Sequence, residues 1–84
     1  MPKPPPPQEK EPEYKGVPLR QLVAQLKSPD AQTRKEAAKT IGLIGPAAKD
    51  AVPALVNALK DKDSDVRSSA ALALKWIGPA AEWH

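Results

Sequence analysis

Residues 22–48 read LVAQLKSPDAQTRKEAAKTIGLIGPAA, and residues 55–81 read LVNALKDKDSDVRSSAALALKWIGPAA. A slide of 33 positions carries one stretch onto the other. It superposes Leu22 on Leu55, Val23 on Val56, Leu26 on Leu59, Lys27 on Lys60, Asp30 on Asp63, Arg34 on Arg67, Ala37-Ala38 on Ala70-Ala71 and Ile44-Gly45-Pro46-Ala47-Ala48 on Ile77-Gly78-Pro79-Ala80-Ala81. From Arg20 to Ala48 that makes 13 identities in 29 positions, too many for two unrelated segments. A unit of this length that recurs in tandem is the mark of a repeat array, in which each unit buries its apolar face only against a neighbour.

Within each unit the apolar spacing predicts two helices. Leu19, Leu22, Val23 and Leu26 stand at i, i+3, i+4 and i+7, which makes one apolar stripe, and Val17-Pro18 supplies a proline tolerated in a first helical turn. After a break at Lys27-Ser28-Pro29, Asp30 is the expected N-cap of the second helix, because its carboxylate accepts the free amides of the first turn. Thr33, Ala37, Ile41 and Ile44 form its buried side, flanked by Arg34 and Ala38. Gly45-Pro46 ends it, since glycine reaches the left-handed C′ conformation and proline cannot continue the hydrogen-bond ladder. The second unit repeats this grammar. Asp50 is expected to cap, Pro53 falls in the first turn, and Val52, Leu55, Val56 and Leu59 make the stripe; then Asp63 caps again, Val66, Ala70, Leu74 and Ile77 face inward, and Gly78-Pro79 terminates. The small pairs Ala37-Ala38 and Ala70-Ala71 permit close approach between helices.

Composition narrows the chemistry. The chain has 84 residues, no Cys and a single His at position 84, so no thiolate nucleophile, disulfide framework or Cys-based zinc site is available. Asp61, Asp63 and Asp65 alternate as in a calcium loop, but Val66 stands where that loop needs glycine and Leu72 where it needs a bidentate glutamate. Gly42, Gly45 and Gly78 lie in or after helices and not in a phosphate-cradling strand-turn-helix unit. The net charge of +3 resides on residues 17–84, where ten Lys and Arg mix with seven Asp and Glu. That pattern reads as a solvated helical surface, and makes nucleic acid an unfavoured partner. No stretch approaches the roughly 20 apolar residues of a membrane span, so no membrane role is expected and a soluble, cytoplasmic protein is the default.

Residues 1–16 carry six prolines, including Pro4-Pro5-Pro6-Pro7, among Lys, Glu and Gln, and are expected to be disordered or transiently polyproline II. A solvated tether and a ligand for aromatic-lined grooves are both open to such a run. The organisation that follows is a tail at 1–16, a first repeat at 17–48, a second at 49–81 and a short end at 82–84.

An apolar helix, a Lys-x-x-Asp-x-x-x-Arg turn (Lys27, Asp30, Arg34; Lys60, Asp63, Arg67), an Ala-Ala pair and a closing Ile-Gly-Pro-Ala-Ala resemble HEAT repeats. The short type found in phycobilisome lyases is the most similar. The resemblance covers residues 17–81 and implies an all-α fold, a right-handed superhelical α-solenoid of two stacked helical hairpins with four helices. It also implies a structural ladder of Asp30, Arg34, Asp63 and Arg67, with Arg34 reaching Asp63 across the two hairpins while Asp30 and Arg67 each lack a neighbour. Two units are fewer than such arrays usually have, which leaves repeat ends open to self-association.

With Ala37, Ile41 and Ile44 inward, a helical wheel turns Lys35, Lys39 and Leu43 outward on the second helix and Leu72, Lys75 and Trp76 outward on the fourth. The resemblance places these helices on the concave, partner-facing side. Lys35, Lys39, Leu43, Leu72, Lys75 and Trp76 are therefore the expected contact patch for a protein partner, Trp being a common anchor of binding energy. A second reading has Leu72 and Trp76 packed against the chain end or a further hairpin. Trp83 is expected to fold back over the open end, or to leave it for end-to-end dimerisation. The expectation is a non-catalytic scaffold without cofactor or metal. Nucleic-acid binding, as in HEAT-like DNA glycosylases, and an accessory role beside a bilin lyase are the alternatives that the family brings.

Overall fold

The computed structural model describes residues 11–78. In chain order they form β1 (Glu13–Tyr14), β2 (Val17–Pro18), α1 (Leu19–Gln25), α2 (Ala31–Ile44), a 3-10 segment (Gly45–Ala51), α3 (Val52–Ala58) and α4 (Ser64–Ile77). Helices α1 and α2 make one hairpin, α3 and α4 the other, and α2 packs along α4.

Both hairpins are closed by the same local bonds. The amide of Leu26 is shared between the Leu22 and Val23 carbonyls, and that of Leu59 between Leu55 and Val56, so the last turn of each first helix tightens before the break. The Asp30 side chain accepts from the Thr33 amide at 3.1 Å and the Thr33 hydroxyl at 2.7 Å. One period later Asp63 accepts from the Asp65 and Val66 amides. Two of the three Asp caps expected from sequence, Asp30 and Asp63, are thus formed.

Several local expectations are corrected. Residues 11–16 do not all belong to an unstructured arm: Glu13–Tyr14 pairs antiparallel with Val17–Pro18 around Lys15-Gly16. Positive φ at both turn residues, 50° and 84°, gives the turn the hand that suits a hairpin. Pro18 consequently lies in β2, and α1 starts at Leu19. The first α1 amides are met from upstream, Leu19 N–H donating to the Pro12 carbonyl at 2.7 Å and Arg20 N–H to Glu11 Oε2 at 2.9 Å. Asp50 does not cap α3; the 3-10 segment runs straight into that helix, and the Val52 amide donates to the Lys49 carbonyl. Gly45 ends α2 with φ 79° and ψ −150°, a glycine region distinct from the left-handed helical one. Gly78 is simply extended. Residues 1–10 and Trp83 lie outside the described residues, with the expectations attached to them.

The core is small-chain and aliphatic: Leu19, Leu22, Leu26, Ala37, Ala38, Ile41, Ala48, Ala51, Leu55, Ala58, Val66, Ala70, Ala73, Leu74 and Ile77. Thr33 and Ile44, expected inside, are half-buried. Ala73 and Gly42, not expected inside, are buried where α2 and α4 come closest. A Cβ built on Gly42 would stand 2.8 Å from the Ala73 Cα and 2.8 Å from the Trp76 Cε3. Only a residue without a side chain lets the two helices meet there.

Candidate functional site

Two features of this frame bear on function, an internal ion-pair system at the hairpin turns and a groove on the α2/α4 side.

At the turns, Arg34 is buried and its guanidinium makes three hydrogen bonds. Nε donates to Asp61 Oδ2 at 2.8 Å, Nη2 to Asp61 Oδ1 at 3.2 Å, and Nη1 to the Ser28 carbonyl at 2.7 Å. The carboxylate that bridges the hairpins is therefore Asp61 and not Asp63. Asp63 is turned to its own helix as the cap, whereas Asp61 sits at the register of Ser28, where the side chain closes the turn. Ser28 Oγ accepts from the Asp30 amide at 3.1 Å, and Asp61 Oδ1 from the Asp63 amide at 2.9 Å. Sequence comparison passes over Asp61 because its counterpart is Ser28, so identity between the repeats hides it. Asp30 and Arg67 bond within their own repeats: Asp30 holds Thr33, and Arg67 Nη1 donates to the Asp61 carbonyl at 2.6 Å.

These bonds set the titration of the turn. The Arg34 side-chain bonds, then the Asp63 amide, hold the Asp61 carboxyl below the ordinary aspartate value. The Thr33 hydroxyl and amide lower that of Asp30. The Asp61 hydrogen bonds raise the Arg34 value further. Held by these bonds, Arg34 and Asp61 cross-link the two hairpins.

On the other side, Lys35 and Lys39 from α2 and Ser69, Leu72 and Trp76 from α4 line one groove of about 240 Å³. The Trp76 ring lies against α2 at Gly42, the contact that the missing Cβ makes possible, so this anchor is fixed by both hairpins. Leu72 and Trp76 remain 47% and 42% exposed, large apolar groups that the fold leaves uncovered. Leu43 is also exposed, at 49%, and Lys75 is exposed on α4, but neither lines the groove. Four of the six expected patch residues thus come together, joined by Ser69. Among the described residues no group of His, Asp and Glu is arranged to hold a metal ion.

A sequence model described as HEAT repeats matches residues 19–82. The chain belongs to the HEAT repeat family. No curated protein and no solved structure matches it. A mostly helical chain with two hairpins is compatible with the HEAT fold, and HEAT repeats commonly mediate contacts between proteins. No described helix is long and apolar enough to cross a membrane.

Proposed function

We propose that this HEAT repeat protein is a non-catalytic binding module, two stacked hairpins of a right-handed solenoid, that takes a protein partner in the α2/α4 groove. One observation supports this reading most: Trp76 and Leu72 stand half-exposed beside Lys35 and Lys39 in a single depression that spans both hairpins. An isolated exposed Leu needs no account, but a Trp held by both units and rimmed by cations fits an anchor position. Its complement is a segment with an apolar side chain for the groove and carboxylates for the two lysines. Leu43 and Lys75 extend the surface outside the groove, where a longer partner would reach them.

The test uses Trp76 emission and amide chemical shifts during titration with a panel of amphipathic helical peptides, acidic and basic, of matched apolar content. Saturable binding of acidic members, weakened at least about tenfold by Trp76→Ala and by Lys35→Glu/Lys39→Glu with the fold retained, is expected for a desolvated aromatic anchor. Retained affinity in Trp76→Ala sinks the reading. Tighter binding of duplex DNA than of any peptide, with a steep salt dependence, would move the surface to the nucleic-acid class.

A further inference from the structure

Helices α2 and α4 make the most extensive contact of the fold, whereas α1 and α3 scarcely meet. Each of these first helices is seven residues long and tightens at its end. A cleft of about 250 Å³ is left between the end of α1 and the end of α3, and it shares no residue with the α2/α4 groove. Buried Leu26 and Ala58, with half-buried Ala54, make its floor apolar. Its exposed rim is cationic: Lys27 comes from one hairpin and Lys60 from the other, at the same register of the repeat, and Asn57 adds a side-chain amide.

The fold itself makes no use of these two cations. Neither lysine has a partner among the described residues. Asp61, the one carboxylate among the described residues of the cleft, is already taken by Arg34 and by the Asp63 amide. Lysines near a helix C-terminus commonly offset its free carbonyls. Here the last four carbonyls of α1, Leu22 to Gln25, accept the amides of Leu26, Lys27 and Ser28, and those of α3, Leu55 to Ala58, accept the amides of Leu59, Lys60 and Asp61.

Two unpaired ammonium groups and an amide donor over an apolar floor complement a dianion on a small apolar body. A carboxylate supplies one charge, but a phosphate monoester carries about −1.5 to −2 at pH 7 with three acceptor oxygens, and lysine binds such a group as a point charge. The cleft lies below the roughly 300 Å³ at which sites for whole drug-sized ligands begin, which suits a phosphoryl group and a short substituent. We propose that this cleft binds a phosphate monoester, with Lys27 and Lys60 holding the dianion from opposite hairpins, Asn57 donating to a phosphate oxygen, and the substituent resting on Leu26, Ala54 and Ala58. The ligand joins the hairpins beside the Arg34–Asp61 pair, so its binding stabilises the stack. This site does not depend on the protein-binding groove.

The full chain is titrated at constant ionic strength with inorganic phosphate, phenyl phosphate, benzoate and a phosphoserine peptide, while the Asn57 side-chain amide shift and the urea midpoint are followed. Saturable shifts and a raised midpoint are expected, with phenyl phosphate at least about threefold tighter than inorganic phosphate because of the apolar floor. Lys27→Gln and Lys60→Gln, both at exposed positions, should each weaken phenyl phosphate at least about threefold, and the double variant should lose the rise in midpoint. Tighter binding of the peptide than of phenyl phosphate supports the proposal with a phosphorylated side chain as the source of the group, and weaker binding supports it with a small ester. Shifts that do not saturate, or that persist in the double variant, overturn it. So does a loss of binding in Lys35→Gln/Lys39→Gln, which assigns the anion to the α2/α4 groove. Benzoate binding as tightly as phenyl phosphate overturns the choice of a dianion.

Discussion

Gly42 carries a constraint that no helix propensity records. Alanine is the better helix former by about 1 kcal/mol, yet here its methyl would meet the Ala73 backbone and the Trp76 ring. Gly42→Ala is expected to destabilise by about 1–3 kcal/mol in urea unfolding, the usual range for overpacking, and to shift Trp76 emission as the ring is displaced. Asp61 is the second decisive residue. Its folded carboxyl titrates below the unfolded aspartate value of about 3.9, so the stability it contributes is complete above that value and is lost as pH falls through the folded one. The midpoint of unfolding should therefore drop below about pH 4, and Asp61→Asn should flatten that drop while lowering stability at pH 7. An unchanged acid limb in Asp61→Asn would show that other carboxylates carry it. Sequence reasoning found Arg34 but paired it with Asp63, because alignment of the repeats rewards identity, and the partner is a position where they differ.

At the scale of the element, the helices follow their patterns and the connections do not. The apolar spacing and the Asp caps determine α2 and α4 over their full 14 residues each. Asp63→Ala should cost about 1 kcal/mol, the ordinary value of an N-cap, read from thermal unfolding by circular dichroism. Gly45→Ala forces an L side chain to a φ of 79° and is expected to cost about 1–3 kcal/mol by the same measurement. The hairpin of β1 and β2 and the 3-10 segment escaped the reading because each is defined by what it packs on. Glu13–Tyr14 has too short a pattern to announce a strand, and it exists where the chain lies against α2 and hands Pro12 and Glu11 to the start of α1. Asp50 looked like a cap only because the sequence does not reveal that Gly45–Ala51 is itself helical.

In the whole molecule, two short hairpins share one core. Leu55 is fully buried, and Leu55→Ala should cost about 2–5 kcal/mol, comparable to the whole stability of a domain this size, so the variant is expected to lose most of its helicity at 25 °C. Leu59→Ala, at a position 38% exposed, should cost less, about 1 kcal/mol, although alignment makes it the twin of buried Leu26. The amino-acid sequence alone determined the two long helices, their Asp30 and Asp63 caps and the tandem architecture, since these follow from periodicities of a few residues and from one repeat of 33. It also indicated which residues of α2 and α4 turn outward. Tertiary structure decided which identical residues are buried and which are not, which carboxylate receives Arg34, and that Trp76 rests on Gly42. Those properties depend on the neighbour each residue meets across the stack, and two copies of one sequence in different places in that stack have different neighbours.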